Sequence, residues 1–359
     1  MISPLGELVE IIGGGTPSKA NPEYWGGDIP WASVKDLKSS ELAEASDYIT
    51  MLGLEKSAAQ IIPAGAVIVS VRGVLGKVAV NSVDMAISQK LKALLVKDES
   101  KLSASYLMYF LQSQARFIQK QSAGAIVNGI TLDMLREIEV PLPALVEQQR
   151  IVAILKQAES IRMKRKKSIE IADDFLRSVF LELFGEPKLN PKSWDTKQWR
   201  DTVEIVSGRN QRSVEDKAGA YPVCGAGGVI SRAADWLLEE NSVIIGRRGR
   251  INNPTLMLEK SWNNDTAFGL QPVRKVLSHN YLYWFCRFFN FENISKSSAV
   301  PSLSKVDLLQ IQMPTPPIEL QKKFDVIVDK VDGFTKKSSA FDANTLFLSI
   351  SKNAFSGKL

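Results

Sequence analysis

The residues best suited to do chemistry stand together at one turn. Arg247-Arg248-Gly249-Arg250-Ile251-Asn252-Asn253 follow the apolar run Ser242-Val243-Ile244-Ile245. Three guanidiniums and two carboxamides on one tight turn suit contact with phosphates and base edges, because arginine pairs bidentately with guanine and asparagine with adenine. The plainer alternative is a solvated basic turn. Arg72 and Lys77 occupy a similar place after Ala66-Val67-Ile68-Val69-Ser70-Val71, where strand, Arg-Gly turn and strand predict a hairpin. Arg209-Asn210-Gln211-Arg212 form a second basic-amide loop, and Gln89 and Lys90 follow Met85-Ala86-Ile87-Ser88. Thr16, Ser18 and Lys19 belong to the glycine-rich stretch opened by Gly13-Gly14-Gly15 and complete the candidate set for nucleic-acid contact. The run Arg162-Met163-Lys164-Arg165-Lys166-Lys167 reads as solvated charge on a helix face, with phosphate contact between the heads as the alternative.

Catalytic chemistry finds little support. The chain has a single histidine, His279. That excludes multi-histidine metal sites and leaves only one candidate for a Ser-His-Asp triad, in a stretch that reads as a helix N-terminus. No paired carboxylates and no metal-ligand spacing stand out. Gly225-Ala226-Gly227-Gly228 lacks both the dinucleotide fingerprint and the Lys-Ser/Thr of a P-loop, so it reads as a turn between strands. Asn253-Pro254-Thr255-Leu256 resembles in part the catalytic tetrapeptide of amino-methyltransferases, but the second proline and the aromatic are missing.

At 359 residues the chain has room for about two domains. Hydrophobic residues make up 45%, enough for real cores. No apolar run is long enough to cross a bilayer, and the N-terminus lacks the basic and apolar regions of a secretion signal. Cys224 and Cys286 make no disulfide framework, which predicts a reduced, cytoplasmic protein. Net charge is +6, distributed unevenly: residues 185–318 hold 17 Lys+Arg against 13 Asp+Glu, and residues 1–145 hold 13 against 15. A modest basic balance is compatible with nucleic acid without requiring it.

Two long helices must position these loops. From Val146 to Phe184, Ile151, Ile154, Ala158, Ile161, Ile169, Ala172, Leu176, Val179 and Leu183 recur at the spacing of one helix face. No proline or glycine stands between Ala144 and Gly185. A second helix is predicted from Glu319, with Phe324, Ile327, Val331, Phe334, Phe341, Leu348 and Phe355 on its seam and Ser338, Thr345 and Lys352 in the remaining seam positions. Two such helices in one chain are expected to bury each other as a coiled coil.

The order of features occurs twice. Val9-Glu10-Ile11 returns as Val203-Glu204-Ile205, the Ser70–Gly73 turn as Gly246–Gly249, and Tyr106-Leu107 as Tyr281-Leu282. The polar patch Ser122–Asn128 returns as Ser297–Ser302, and the strand with prolines at 138–143 returns at 311–316. Gln148 returns as Gln321 at the head of the second helix, and Leu183-Phe184-Gly185 has an echo in Ala354–Gly357. The spacing drifts from 194 residues, Val9 to Val203, to 173, Gln148 to Gln321. This is internal duplication with altered loop lengths. The predicted domains are residues 1–145, a helical spacer 146–184, residues 185–318 and a second helical spacer 319–359.

This layout resembles the DNA specificity subunit of type I restriction-modification systems. The resemblance rests on Leu8-Val9-Glu10-Ile11-Ile12-Gly13-Gly14-Gly15-Thr16-Pro17-Ser18, the Ser70-Val71-Arg72-Gly73 hairpin, and Pro141-Leu142-Pro143 leading to Gln148-Gln149-Arg150-Ile151-Val152, and it extends over both copies. It implies a mixed α/β (α+β) fold with two target recognition domains separated by a long antiparallel two-helix coiled coil. It further implies double-stranded DNA with a bipartite site as target, and two methyltransferase (modification) subunits and restriction subunits as partners. Catalysis of adenine methylation and of cleavage would belong to those subunits, with S-adenosylmethionine, ATP and magnesium bound there and no cofactor on this chain. The rival reading is a protein-interaction scaffold with duplicated heads; an autonomous enzyme is a poorer third.

Overall fold

With nothing to break it between Ala144 and Gly185, Leu145–Phe184 is one α-helix of 40 residues, about 60 Å long. It stops at Gly185, whose φ of 77° is left-handed and whose amide donates to the Leu181 carbonyl at 2.9 Å, a common glycine ending. The computed structural model describes residues 1–115, 129–295, 300–337 and 343–355. The chain divides into two units, Met1–Arg165 with Phe341–Leu359, and Lys166–Ala340.

In the first unit a five-stranded sheet runs in the order Val9–Gly13, Leu91–Val96, Val67–Ser70, Val78–Asn81, Glu41–Leu42. A four-stranded sheet runs Asp47–Ile49, Trp25–Ala32, Met85–Ile87, Ile61–Ile62. The 67–81 hairpin pairs Val67 with Val80 and Val69 with Val78, as its alternation predicts. The aromatic stretch 22–38 contains the strand Trp25–Ala32. Its alternate residues Trp31 and Ile49 of the neighbouring strand bury in a small core of their own. The helix Ala104–Ser113 buries Tyr106, Leu107, Tyr109, Phe110 and Leu111. Residues 116–128, which include the patch Ser122–Asn128, lie outside the described residues.

The second unit repeats this plan. A four-stranded sheet runs Val203–Ser207, Ala267–Pro272, Ser242–Gly246, Thr255–Met257, and a three-stranded sheet runs Gly228–Ala233, Tyr221–Gly225, Trp262–Asn263. The helix His279–Phe288 packs on the four-stranded sheet and is capped by Ser278 Oγ, which accepts from the Tyr281 amide at 3.1 Å. His279 therefore stands at a helix start, as expected. Part of the second polar patch, residues 296–299, lies outside the described residues.

The duplication extends to single hydrogen bonds. Gln148, fully buried, donates to the carbonyls of Lys101 (2.7 Å) and Pro143 (3.0 Å) and accepts from the Ser103 amide (3.0 Å). Gln321, also fully buried, donates to Val276 (3.0 Å) and Pro316 (2.8 Å) and accepts from the Ser278 amide (2.8 Å). Tyr106 donates its hydroxyl to the Pro141 carbonyl at 2.9 Å and Tyr281 to that of Pro314 at 2.7 Å. Burial pushes the Tyr106 hydroxyl up to about 12.

Each unit is closed by helical segments from both copies. In the second, Phe180 stacks against Tyr281, Trp284 and Phe288 and meets Phe324 edge-on at 5.6 Å, and Phe184 meets Tyr281 and Phe324. The helix Ile318–Lys337 supplies Phe324 and Val328 to the same core. In the first, Ile151, Leu155 and Ala158 share a core with Phe347 and Ala354 of the helix Ala343–Phe355. There Phe355 packs edge-on against Tyr106 and Phe110, both at 5.4 Å. Phe355 thus does for Tyr106 what Phe184 does for Tyr281. Arg162 lies over the Phe347 ring at 4.7 Å. Phe347 lies beside Arg162, and Phe355 packs on Tyr106, whose hydroxyl reaches Pro141 just before the long helix, so the two segments run antiparallel within that unit.

The predicted seams need two corrections. On the first helix Ile161 and Ile169 are 49% exposed, while Leu155, Phe180 and Phe184, outside the predicted seam, are buried. The helix packs by its ends, and its charged middle faces solvent. On the C-terminal helix the buried positions are Phe347, Ser351 and Ala354, one residue off the predicted Leu348, Lys352 and Phe355. The shift places Lys352 and Thr345 in water, where burying an ammonium would be costly. Phe334, predicted inward, is 77% exposed. Ser338, Phe341 and the echo at Gly357 lie outside the described residues.

Gln321→Leu keeps the volume but leaves one amide and two carbonyls without partners. It should destabilise the second unit by about 3 kcal/mol in urea unfolding, with the first unit's transition unchanged. A loss within about 0.5 kcal/mol would show that these bonds do not hold the helix to its domain.

Candidate nucleic-acid interface

Strand direction determines where the loops emerge. In the second unit Val203–Ser207 and Ser242–Gly246 end, and Ala267–Pro272 begins, on the same sheet edge, because the outer two pair antiparallel with the third. The loops after Ser207, after Gly246 and before Ala267 therefore share that edge. In the first unit the loops after Gly13, after Ser70 and before Leu91 do the same. All fourteen predicted contact residues fall on these loops, on residue Lys77 at the far side of the hairpin turn, or on Asn252 just beyond the arginine turn.

One set of backbone bonds ties the loops together in both copies. The Arg247 amide donates to the Thr266 carbonyl at 2.7 Å, as Val71 donates to Lys90 at 3.0 Å. Arg209 donates to Asn263 at 3.0 Å, as Gly15 donates to Ile87 at 2.9 Å. Asn264 donates to Cys224 at 2.8 Å, as Ser88 donates to Ala32 at 2.8 Å. Leu303 donates to Arg247 and Ile130 to Val71, both at 2.9 Å. Tight approach demands glycine. A Cβ on Gly208 would lie 1.7 Å from the Asn264 carbonyl oxygen, and one on Gly14 would lie 2.3 Å from those of Ile87 and Ser88. The tips of the two arginine turns use Gly73 at φ 79° and Gly249 at φ 73°, a region costly for other residues.

Tryptophans pin the first loops, which the sequence did not signal. Trp31 donates its indole N–H to the Gly15 carbonyl and Trp262 to the Arg209 carbonyl, both at 2.9 Å. They sit on opposite members of the parallel pairs Trp31–Ala86 and Val223–Trp262, so sequence alignment of the copies does not superpose them. Trp25 adds a bond to the Ser18 carbonyl at 3.2 Å. A second unforeseen feature is the brace at Thr266. Its Oγ accepts from the Ala226 amide at 3.2 Å and donates to Asn264 Oδ1 at 2.6 Å, tying the glycine turn 225–228 to the arginine turn. Gly225–Gly228 is the strand-to-strand turn expected of it.

The candidate side chains fall into two groups. Lys19, Arg72, Lys90, Arg209, Arg212, Arg248 and Arg250 are exposed. None forms an ion pair among the described residues, whereas Lys35, Lys101 and Arg287 are paired with Asp47, Asp98 and Asp173. Ser18 and Gln89 are also exposed, and Thr16 is partly buried beside the pinned Gly15. The others have structural commitments. Arg247 lies over Phe268 at 5.5 Å. Lys77 donates to the Val34 carbonyl at 3.3 Å. Asn210 Oδ1 accepts from the Arg212 amide at 3.0 Å. Asn252 accepts from the Phe291 amide at 2.8 Å and donates to Asn290 Oδ1 at 2.9 Å, so its carboxamide holds the turn in place.

Among the described residues no cluster of His, Cys, Asp and Glu could hold a metal ion, and no helix is long and apolar enough to cross a membrane. Cys224 and Cys286 are free and buried, and burial pushes the Cys224 thiol up to about 11.

Two duplicated domains, each presenting unpaired cations on one loop edge and sharing long helices, define a nucleic-acid recognition chain with two heads. Residues 1–172 and 191–340 match the family described as the type I restriction modification DNA specificity domain, and the chain belongs to that family. Its function is that of a type I restriction-modification specificity subunit. It is 25% identical to the type I restriction enzyme MjaIX specificity subunit of Methanocaldococcus jannaschii, over 91% of this chain and 85% of that one. It is 33% identical to the EcoR124I/EcoR124II specificity subunit of Escherichia coli over 44% of this chain and 40% of that one. The S subunit structure from M. genitalium superposes with a TM-score of 0.64 at 19% identity, covering 99% of this chain and 96% of that one. A chain solved in work on complex assembly of the type I R-M system gives 0.53 at 17%, covering 100% and 98%.

Asn252→Ala removes the acceptor for the Phe291 amide and should lower stability by about 1–2 kcal/mol in thermal melts. Its effect on duplex affinity should be smaller than that of Arg248→Ala. An affinity loss at least as large as that of Arg248→Ala, with stability unchanged, would make Asn252 a direct contact instead.

Proposed function

We propose that the two units each read one half of a bipartite site in double-stranded DNA. Exposed cations at the loop edge neutralise phosphates and fix register, while loop-tip arginines and amides read base edges in the major groove. The observation that carries this reading is the pair of equivalent edges. In both units the arginines at the turn tips, Arg72 and Arg248, are exposed without an ion-pair partner among the described residues, on turns held by the same backbone bonds. Cations left unpaired in this way are available to phosphate, and they argue against the scaffold reading.

The long helix Leu145–Phe184 and its partners from the second copy set the unread spacer between the half-sites. They also dock the other subunits: two methyltransferase subunits, and restriction subunits when DNA is cut. This chain supplies recognition and no chemistry. Adenine methylation with S-adenosylmethionine, and cleavage with ATP and magnesium, belong to the partners, in the cytoplasm.

Arg248→Ala should weaken binding through the second half-site by about 1–3 kcal/mol, and Arg72→Ala should act in the same way on the first. Full-length protein titrated against a cognate duplex at several salt concentrations would show both the loss and a shallower salt dependence, since each phosphate contact contributes about −0.9 to the slope of log K on log salt. Unchanged affinity and slope in Arg248→Ala would remove this turn from the interface. Inserting four residues within 164–167 of the exposed helix middle should lengthen the tolerated spacer and leave both half-site preferences intact. Loss of either preference would count against the helix as a ruler.

A further inference from the structure

The matched bonds of the two units superpose Ile87-Ser88-Gln89-Lys90-Leu91 on Asn263-Asn264-Asp265-Thr266-Ala267, residue for residue. Where the first unit carries an amide and a cation at this tip, the second carries Asp265 and Thr266. Asp265 is exposed and forms no hydrogen bond or ion pair among the described residues. Its neighbours place it in the middle of the basic edge. Asn263, two residues before it, accepts the Arg209 amide, and Thr266, directly after it, accepts the Arg247 amide. The tip is rigid, because Asn264 Oδ1 accepts from both the amide and the hydroxyl of Thr266, at 3.0 and 2.6 Å.

A carboxylate on a surface that meets DNA is repelled by phosphate and can only accept hydrogen bonds. In the major groove the donors it can find are the exocyclic amino groups of cytosine and adenine; guanine N7 and O6 and thymine O4 are acceptors that it would reject. We propose that Asp265 is a specificity-determining residue of the second unit, accepting from a cytosine N4 or adenine N6 amino group in the second half-site. This rests on reading the loop edge as the DNA-facing surface. The surrounding arginines offset the charge, and Thr266 and Asn264 hold the acceptor in place. At the equivalent tip the first unit presents Gln89, which can donate as well as accept, so the two heads are built to prefer different bases at the same structural position.

The test is selection from a random duplex pool with the full-length chain, comparing wild type with Asp265→Asn and Asp265→Ala, after checking that each variant melts like wild type. Both variants should enrich the wild-type bipartite motif at every position but one. At that position, in the half-site weakened by Arg248→Ala, a wild-type preference for cytosine or adenine should fall by roughly tenfold. Affinity for duplexes that lack the motif should not fall, since a repulsive charge has been removed. Motifs identical to wild type at every position in both variants would overturn the assignment while leaving the DNA-reading edge in place. A wild-type chain that enriches no motif would overturn the reading of the edge, and the assignment of Asp265 with it.

Discussion

A side chain at a loop tip is only as well placed as the support beneath it. In this chain that support is a backbone bond made twice: the residue before each turn-tip arginine donates to the carbonyl of the neighbouring loop, Val71 to Lys90 and Arg247 to Thr266. Because the bond is main chain to main chain, it does not constrain which side chains stand on either loop. Everything specific about the two edges, including Lys90 in one and Thr266 in the other, is free to differ around it. The glycines next to it are bound more tightly. Gly14 and Gly208 sit where any side chain would strike a carbonyl oxygen of the adjoining loop, so they belong to the frame and not to the reading surface.

The helices obey a related economy. Each unit closes its core with the beginning of one copy's helix and the end of the other's. Ile151 and Leu155 meet Phe347 and Ala354 in one core, and Phe324 and Val328 meet Leu176 and Phe180 in the other. Phe184 against Tyr281 and Phe355 against Tyr106 are the same aromatic contact made in each unit. Neither domain is completed by its own copy alone, so duplication and the shared helices depend on each other. The helix middle, with Lys166 and Lys167 exposed and paired with Glu170, contributes length and not core.

How much of this could be read from sequence depended on the range of the interaction. The long helix was legible because its only requirement is local: forty residues without a breaker, ended by a left-handed glycine. The duplication was legible because Gln148 and Gln321, or Arg72 and Arg248, keep their order even as the loop lengths drift. The convergence of the loops was not legible, since it follows from strand pairings such as Lys92 with Gly13 and Phe268 with Ser207 that no local pattern announces. The seam of the C-terminal helix was misplaced by one residue because a heptad of phenylalanines outweighed the polar Lys352 and Thr345, which water claims first. The bond that Asn252 accepts from the Phe291 amide was not legible either, because it joins residues 39 apart in the chain.

The same frame reaches its support by different means in the two heads. After Ala32 the first unit inserts residues 33–46, ordered by Asp36. Burial works to raise that carboxyl, but hydrogen bonds from Ser46 and Ser33 outweigh it and hold the group below its usual range. Val34 of this insertion accepts from Lys77 on the arginine hairpin. After Gly225 the second unit has a short turn, and Ala226 is joined to the arginine turn through Thr266 instead. A lysine bonded to a long loop and a threonine bonded to a short one each brace an arginine turn. A loop beside the recognition edge can therefore change length and chemistry completely without unseating the arginine, provided it still offers one backbone group to lean on. That tolerance is what allows two heads of common origin to present different surfaces to their targets.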